Sequence, residues 1–93
     1  MYVILVYDIS LIEKKGNKVL RNIYKICKKY MNHIQNSTFE GELSNSQITA
    51  LQSELDKFIR KDVDSIIIFK SRNEKWLKKE FWGKKEDLTS NFI

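Results

Sequence analysis

The chain has 93 residues, a length that predicts one domain, residues 1–93. Its composition, with 42% hydrophobic and 31% charged residues, is typical of a globular protein, and its net charge of +5 makes it basic. A single cysteine, Cys27, excludes an internal disulfide and a cysteine-based metal cage. No stretch is long enough to span a membrane and no signal peptide opens the chain, so we predict a cytoplasmic protein without membrane contacts.

The first predicted element is a strand over residues 2–9, rich in β-branched and aromatic residues. Its apolar character is nearly continuous, so we expect both faces of the strand to be covered. The strand runs into Asp8, which on the residue pattern alone is interpreted as a turn residue that accepts hydrogen bonds from loop amides. Residues 10–16 are predicted to form a loop that ends at Gly16.

A helix is predicted over residues 17–32, with Asn17 as its cap. Its apolar residues recur at intervals of three and four and form one stripe: Val19, Leu20, Ile23, Ile26, Cys27, Tyr30 and Met31. The opposite face carries five basic residues: Lys18, Arg21, Lys25, Lys28 and Lys29. These residues fit either a solvated helix face or a stripe that follows phosphates, and the pattern leaves both interpretations open.

Residues 33–43 are predicted to be extended, either as one strand bent at Gly41 or as two short strands with a tight junction. A second helix is predicted over residues 44–61, begun by a capping box of Ser44 and Gln47. Its apolar stripe comprises Ile48, Leu51, Leu55, Phe58 and Ile59. A second apolar strand follows over residues 65–70, and the chain ends in a tail that mixes Trp and Phe with basic residues.

Charge is distributed unevenly along these elements. The balance is +5 over residues 1–36, −3 over residues 37–64 and +3 over residues 65–93. A basic, acidic, basic order indicates a surface with a positive face, which would attract polyphosphates.

The order of elements predicts an α+β fold, a ferredoxin-like βαββαβ sheet with both helices on one face. This arrangement leaves the other face of the sheet bare, although the strands over residues 2–9 and 65–70 are apolar on both faces. Either the tail or a second copy of the chain could cover it. Exposed apolar area of that size is typical of an interface, and two-fold pairing is the commonest solution.

Three stretches resemble the CRISPR-associated protein 2 family, and together they extend along essentially the whole chain. They are the strand end Tyr7-Asp8-Ile9, the extended segment IQNSTFEGEL (residues 34–43), and DSIIIF (residues 64–69) with the tail that follows. The middle stretch is the most specific of the three, because a strand ending in Tyr-Asp also occurs by chance.

The resemblance implies a homodimer in which the tail, about residues 72–93, crosses to the partner's sheet as an extra C-terminal strand. It implies that Asp8 lies near the two-fold axis, where it and the same residue of the partner bind one Mg²⁺, an ion that keeps several waters. Tyr7, Ser37 and Phe39 match the family near the same axis, although core packing explains Phe39 equally well. His33 stands where the family often has arginine, which weakens any hydrolytic role.

Two functions follow from the resemblance. The first is a dimeric adaptor that joins the spacer integrase, CRISPR-associated protein 1, and holds a short DNA duplex for insertion into the CRISPR array. Sequence-independent phosphate contacts would suffice for this function, and the candidates are Lys14, Lys15, Lys18, Arg21, Lys25 and Lys28. The second is a Mg²⁺-dependent endonuclease or endoribonuclease that cuts DNA or single-stranded RNA, with Asp8 as its catalytic metal ligand.

A toxin-like metal-dependent ribonuclease of the same fold is the alternative within this class. An RNA-recognition module would show a Lys/Arg-Gly-Phe strand motif, and the sequence has none.

Overall fold

A four-stranded antiparallel sheet in the order β2-β3-β1-β4 forms the centre of the fold. This computed structural model describes residues 1–83. Its elements are β1 (Tyr2–Asp8), α1 (Lys15–Tyr30), β2 (Asn32–Gln35), β3 (Thr38–Glu42), α2 (Asn45–Asp56) and β4 (Ser65–Ser71), followed by a short 3-10 turn, Glu74–Trp76. This is the ferredoxin-like βαββαβ arrangement that the sequence predicts.

Strand β1 is central because it pairs with β3 on one side and with β4 on the other. Its side chains alternate between the two faces of the sheet. Val3, Leu5 and Tyr7 are buried beneath the helices, while Ile4 and Val6 are half-buried on the opposite face, here called the outer face. Within residues 1–83, the inner face of the strand is therefore completely covered and its outer face only in part.

The core lies between the sheet and the two helices. Its largest fully buried side chains are Phe39 from β3, Leu5 from β1, Ile23 from α1 and Leu51 from α2, with Leu43 and Val3 beside them. Cys27 is also fully buried, and burial raises the pKa of its thiol to about 12. The only cysteine of the chain is thus a small core residue, as the apolar stripe of the helix predicts.

Helix α1 starts two residues before the predicted position, and Asn17 does not cap it. The preceding Lys14 already has helical angles and makes no side-chain cap hydrogen bond. Gly16 lies so close to the loop that an added Cβ would be 2.1 Å from the Ser10 carbonyl oxygen. Packing of the helix start against residue 10, rather than a polar cap, decides where the helix begins.

Residues 33–43 form two strands, so the alternative of one strand bent at Gly41 is wrong. The junction is a turn in which Asn36 has a φ of 40°, a left-handed conformation that asparagine tolerates. Gly41 instead lies in β3 under the end of α1, where an added Cβ would be 2.9 Å from Met31 Cγ. The lack of a side chain at Gly41 therefore allows Met31 to approach the strand closely and does not produce a bend.

The capping box of α2 is confirmed, since Gln47 N donates to Ser44 Oγ and Ser44 N donates to Gln47 Oε1. The predicted end of this helix is wrong: it stops at Asp56, five residues early, and Phe58 is exposed. Residues after Lys57 form turns that bring Asp64 back to Arg60. A local hydrogen-bonding alternative therefore ends the helix before its apolar pattern ends.

Strand β4 lies at the edge of the sheet, and its expected coverage on both faces is absent within residues 1–83. Ile67 and Phe69, on the outer face beside Val6 and Ile4, are 52% and 50% exposed. Part of the tail borders the other half of this face, where residues 79–83 and Ile4 line one open cavity of about 500 Å³. The predicted tail crossing involves residues 72–93, of which 84–93 lie outside the described residues.

Within residues 1–83, no helix has the length and hydropathy needed to cross a bilayer.

Candidate metal and nucleic-acid site

Asp8 is the last residue of β1 and pairs in register with Ser65 of β4. Its side chain is exposed and lies on the outer face, opposite to that of Tyr7. Within residues 1–83 its carboxylate has no hydrogen-bond or ion-pair partner, so its interpretation as a residue that satisfies loop amides is wrong.

Asp64, a residue that the sequence pattern did not mark as a site, satisfies the loop amide instead. Ser10 N donates to Asp64 Oδ1 at 2.9 Å, and Arg60 N and Nε donate to Asp64 Oδ2 at 3.0 and 2.9 Å. Arg60 Nη2 donates both to Asp64 Oδ1 and to the Ser10 carbonyl oxygen. The side chain of Asp64 is fully buried, and its hydrogen bonds with Arg60 hold the pKa of its carboxyl below the ordinary value.

The sequence contains a signal for this pair, because Arg60 and Asp64 are four residues apart and both come just before a predicted strand. The signal is weak because charged pairs at that spacing are common on exposed helix faces. The pair anchors the chain directly after Asp8 to the turn before β4, and so it fixes the base of the loop between β1 and α1.

Asp8 is the one carboxylate per chain that is predicted from the sequence as a magnesium ligand. Among residues 1–83, no group of three or more His, Cys, Asp or Glu side chains is placed to hold a metal ion. Mg²⁺ is commonly held by one or two carboxylates and keeps its remaining waters. Asp8, exposed and without a partner in the described chain, fits that requirement if a second copy supplies another carboxylate.

Tyr7, Phe39 and His33 belong to an aromatic cluster on the inner face of the sheet. The rings of Tyr7 and Phe39 stack with centroids 6.0 Å apart, and Tyr24 meets the ring of Phe39 edge-on at 5.6 Å. Burial raises the pKa of Tyr7 to about 12, so its phenol stays neutral at physiological pH. Phe39 is fully buried, which confirms its packing role.

His33 is buried, which further weakens a hydrolytic role for it. Its Nε2 lies 2.7 Å from the Asn36 carbonyl oxygen, and its ring contacts Tyr24 and Phe39. The histidine thus orders the turn between β2 and β3. Ser37 lies in the same turn, where its carbonyl oxygen accepts a hydrogen bond from Tyr7 N at 3.1 Å.

An open groove of about 410 Å³ lies between helix α1 and two of the predicted axis residues, Tyr7 and Ser37, whereas Asp8 and Phe39 do not line it. It is lined by Tyr7, Leu20, Arg21, Tyr24, Lys25, Asn36 and Ser37. In this groove Ser37 lies near Arg21 and Lys25. Neither the basic face of the helix nor the extended segment, residues 34–43, indicates this proximity by itself.

Five basic residues follow one face of α1 and its cap at intervals of four and three, and we call them the cationic stripe: Lys14, Lys18, Arg21, Lys25 and Lys28. All five are exposed, and within residues 1–83 none of them forms an ion pair. Lys15, which follows Lys14 in the sequence, is also exposed but is not counted in the stripe. By contrast, Lys29 pairs with Glu54 and Lys79 pairs with Glu40.

Helix α1 contains six basic residues and no acidic one. The repulsion between its basic side chains is therefore not offset by an acid within the helix. Like charges at these spacings are mildly destabilising. A helix that keeps them together presents a positive surface of the kind that attracts polyanions.

The fold and these features define a small ferredoxin-like α+β protein with a basic first helix and, at the end of its central strand, an acid that has no partner within residues 1–83. The family model for CRISPR associated protein Cas2 matches residues 1–79. The chain belongs to the Cas2 family, which confirms the resemblance inferred from residues 7–9, 34–43 and 64–69.

Relatives and solved structures agree with this assignment. The chain is 58% identical over all 93 residues to the CRISPR-associated endoribonuclease Cas2 of Fusobacterium nucleatum subsp. nucleatum, of which it covers 87%. It is 39% identical to the CRISPR-associated endoribonuclease Cas2 of Methanosarcina acetivorans, with both chains covered completely. The crystal structure of Streptococcus pyogenes Cas2 at pH 6.5 superposes with a TM-score of 0.79 at 28% identity, covering 89% of this chain and 100% of that one.

Proposed function

We propose that this CRISPR-associated protein is a dimeric adaptor that binds duplex DNA without reading its sequence and presents it to the spacer integrase. The cationic stripe is the observation that carries this proposal. Its side chains are exposed, unpaired within residues 1–83 and aligned along one helix. Phosphate contacts of this kind position a protein on a duplex without carrying sequence information.

The dimer is proposed because residues 1–83 of one chain leave the outer face of the sheet partly uncovered. Ile67 and Phe69 remain half exposed there, and Asp8 lies on the same face. Pairing of two outer faces, with the tails exchanged between copies, would bury these side chains and bring two Asp8 carboxylates together. Their repulsion favours a bound cation, for which Mg²⁺ is the proposed occupant.

A second candidate activity is Mg²⁺-dependent cleavage of a phosphodiester, supported by Asp8 having no partner in the described chain. The two relatives described above are both named as endoribonucleases. A bound Mg²⁺ would lower the pKa of a coordinated water and offset the charge that develops on phosphorus. In this chain Asp8 would hold the ion and the cationic stripe would hold the nucleic acid, while buried His33 has no proposed part in proton transfer.

Duplex binding tests the adaptor proposal. We expect Lys18→Glu/Arg21→Glu/Lys25→Glu to weaken binding to all duplexes alike, because these side chains would bind phosphates. The slope of log affinity against log salt should fall by about 0.9 for each phosphate that the variant no longer neutralises. The measurement is a fluorescence anisotropy titration at several salt concentrations.

The matched control is Lys57→Glu/Lys61→Glu/Lys70→Glu, which makes the same change in net charge on exposed residues outside α1. Equally weakened binding in both triple variants would show that net charge rather than the stripe governs binding. Cleavage of RNA by the purified protein, with no effect on spacer insertion by the integrase, would instead support the toxin-like alternative.

A further inference from the structure

The loop between β1 and α1 exposes two adjacent aliphatic side chains. Ile12 is 95% exposed and Leu11 is 53% exposed. Single apolar residues on a surface are ordinary, but a pair at the tip of one loop presents a continuous apolar contact to solvent. Neither side chain contributes to the core of the described chain.

The loop is firmly anchored, so this exposure is built into the fold. At its start, Ser10 is bound through both its N–H and its carbonyl oxygen by the Arg60–Asp64 pair. At its end, Gly16 N donates to the Glu13 carbonyl oxygen at 3.0 Å, and Gly16 packs directly against Ser10. A loop closed at both ends in this way cannot readily turn its tip into the core.

Basic side chains follow the exposed pair along the chain. Lys14, Lys15 and Lys18 follow within six residues of Ile12, and all three are exposed. The single acid of the loop, Glu13, lies 3.9 Å from Arg60 Nη1, which partly offsets its charge. The ligand that complements this combination carries repeated negative charge beside flat apolar surface.

We propose that Leu11 and Ile12 contact the faces of unpaired bases in a single-stranded nucleic acid whose phosphates are held by Lys14, Lys15 and Lys18. The proposal rests on the proposed phosphate binding by the cationic stripe. Bases stacked inside a duplex present no free face, whereas unpaired bases do, and an aliphatic side chain that covers such a face removes apolar area from water whichever base it is. The loop would therefore add preference for single strands or strand ends to a surface that otherwise reads only phosphate.

The test compares a short single-stranded oligonucleotide of mixed sequence with a copy in which the central nucleotides are abasic. Both carry the same phosphates, and only the first carries base faces. We expect Leu11→Ser/Ile12→Ser to weaken binding of the intact strand about fivefold, because less apolar area is then buried against the bases. The abasic strand and a blunt duplex should bind the variant and the unmodified protein equally. DNA and RNA versions distinguish the sugar, and base-dependent weakening with either supports the proposal.

The matched control is Val63→Ser, an exposed aliphatic residue in the turn before β4, which should leave all affinities unchanged. Equal weakening of intact and abasic strands would overturn the proposal, and so would a loss of affinity for the duplex as large as that for the single strand. Unchanged binding of the intact strand by the variant would overturn it as well. So would a change of the variant from dimer to monomer, or a variant that loses binding to anionic vesicles but keeps its binding to oligonucleotides. If the unmodified protein bound no nucleic acid, the proposed adaptor function would fail together with this inference. The outcomes described above for the Leu11→Ser/Ile12→Ser variant overturn only this inference.

Discussion

Two aspartates at the same end of the sheet have opposite environments. Asp8 ends β1 and pairs with Ser65, and the residue before Ser65 is Asp64. Asp64 is buried and accepts hydrogen bonds at both oxygens, whereas Asp8 is exposed and has no partner within residues 1–83. The comparison teaches that a carboxylate whose hydrogen bonds are satisfied by its own chain holds the fold together, whereas one left free is available to a ligand.

The largest effect is expected on cleavage. If the dimer cuts a phosphodiester with Mg²⁺, Asp8→Ala should abolish that activity, because loss of the ligand forfeits a stabilisation of several kcal/mol. Removal of Mg²⁺ with EDTA should do the same to the unmodified protein. The adaptor function should survive, since it depends on charge spread over many residues. The measurements are cleavage of labelled RNA and DNA, light scattering, and spacer insertion with the integrase.

In the proposed dimer, Asp8→Ala would remove repulsion between two carboxylates at the axis, so thermal stability without Mg²⁺ should be unchanged or higher. Asp62→Ala serves as the control, since Asp62 is an exposed acid outside the site. Failure of integration in an Asp8→Ala protein that still forms a dimer and binds the integrase would place Asp8 in the adaptor function itself.

The second largest effect is expected on stability at Asp64. Asp64→Ala should lower the free energy of unfolding by about 3 kcal/mol, because it leaves Arg60 and the Ser10 amide without their partner. Chemical denaturation measures the decrease. Asp62→Ala, two residues away in the same turn, should change stability by less than about 0.5 kcal/mol. Equal effects of the two substitutions would remove the contrast between buried and exposed acids.

A smaller effect is expected from pH. Hydrogen bonds with Arg60 lower the pKa of Asp64 in the folded state, so its contribution is present above the unfolded pKa of about 3.9 and is lost as pH falls through the folded value. The stability advantage of the unmodified protein over Asp64→Asn should therefore be constant near neutrality and shrink in acid. Denaturation curves from pH 7 downward measure it, and an advantage independent of pH would exclude a charge effect.

The smallest effect is expected at Glu40, an acid between the two extremes. Glu40 accepts hydrogen bonds from Tyr2 and from Lys79 of the tail. Burial alone would raise its pKa, but these two donors outweigh burial and lower it. Lys79→Met should cost about 1 kcal/mol or less. Lys78→Met is the control, because Lys78 is largely exposed and pairs only loosely with Glu80 at 3.5 Å. Equal effects would mean that the tail is not held at Glu40.

The interiors of the elements could be predicted from sequence because they depend on local periodicity. The apolar stripe of α1, the capping box at Ser44 and the continuous apolar character of β1 all involve residues within a few positions of each other. The ends were less predictable. Helix α1 begins where Gly16 meets Ser10, and α2 ends where the chain turns back to Arg60.

For the site, the sequence determined which residues are basic, that they share one face of a helix, and that an acid ends the central strand. It also determined the family, through short stretches distributed over the chain. Only the tertiary structure decided that Asp64, rather than Asp8, binds the Ser10 amide, a contact between residues 54 positions apart. The physical reason is that helix and strand periodicities act over a few residues, whereas the partner of a buried polar group is chosen by where distant segments pack.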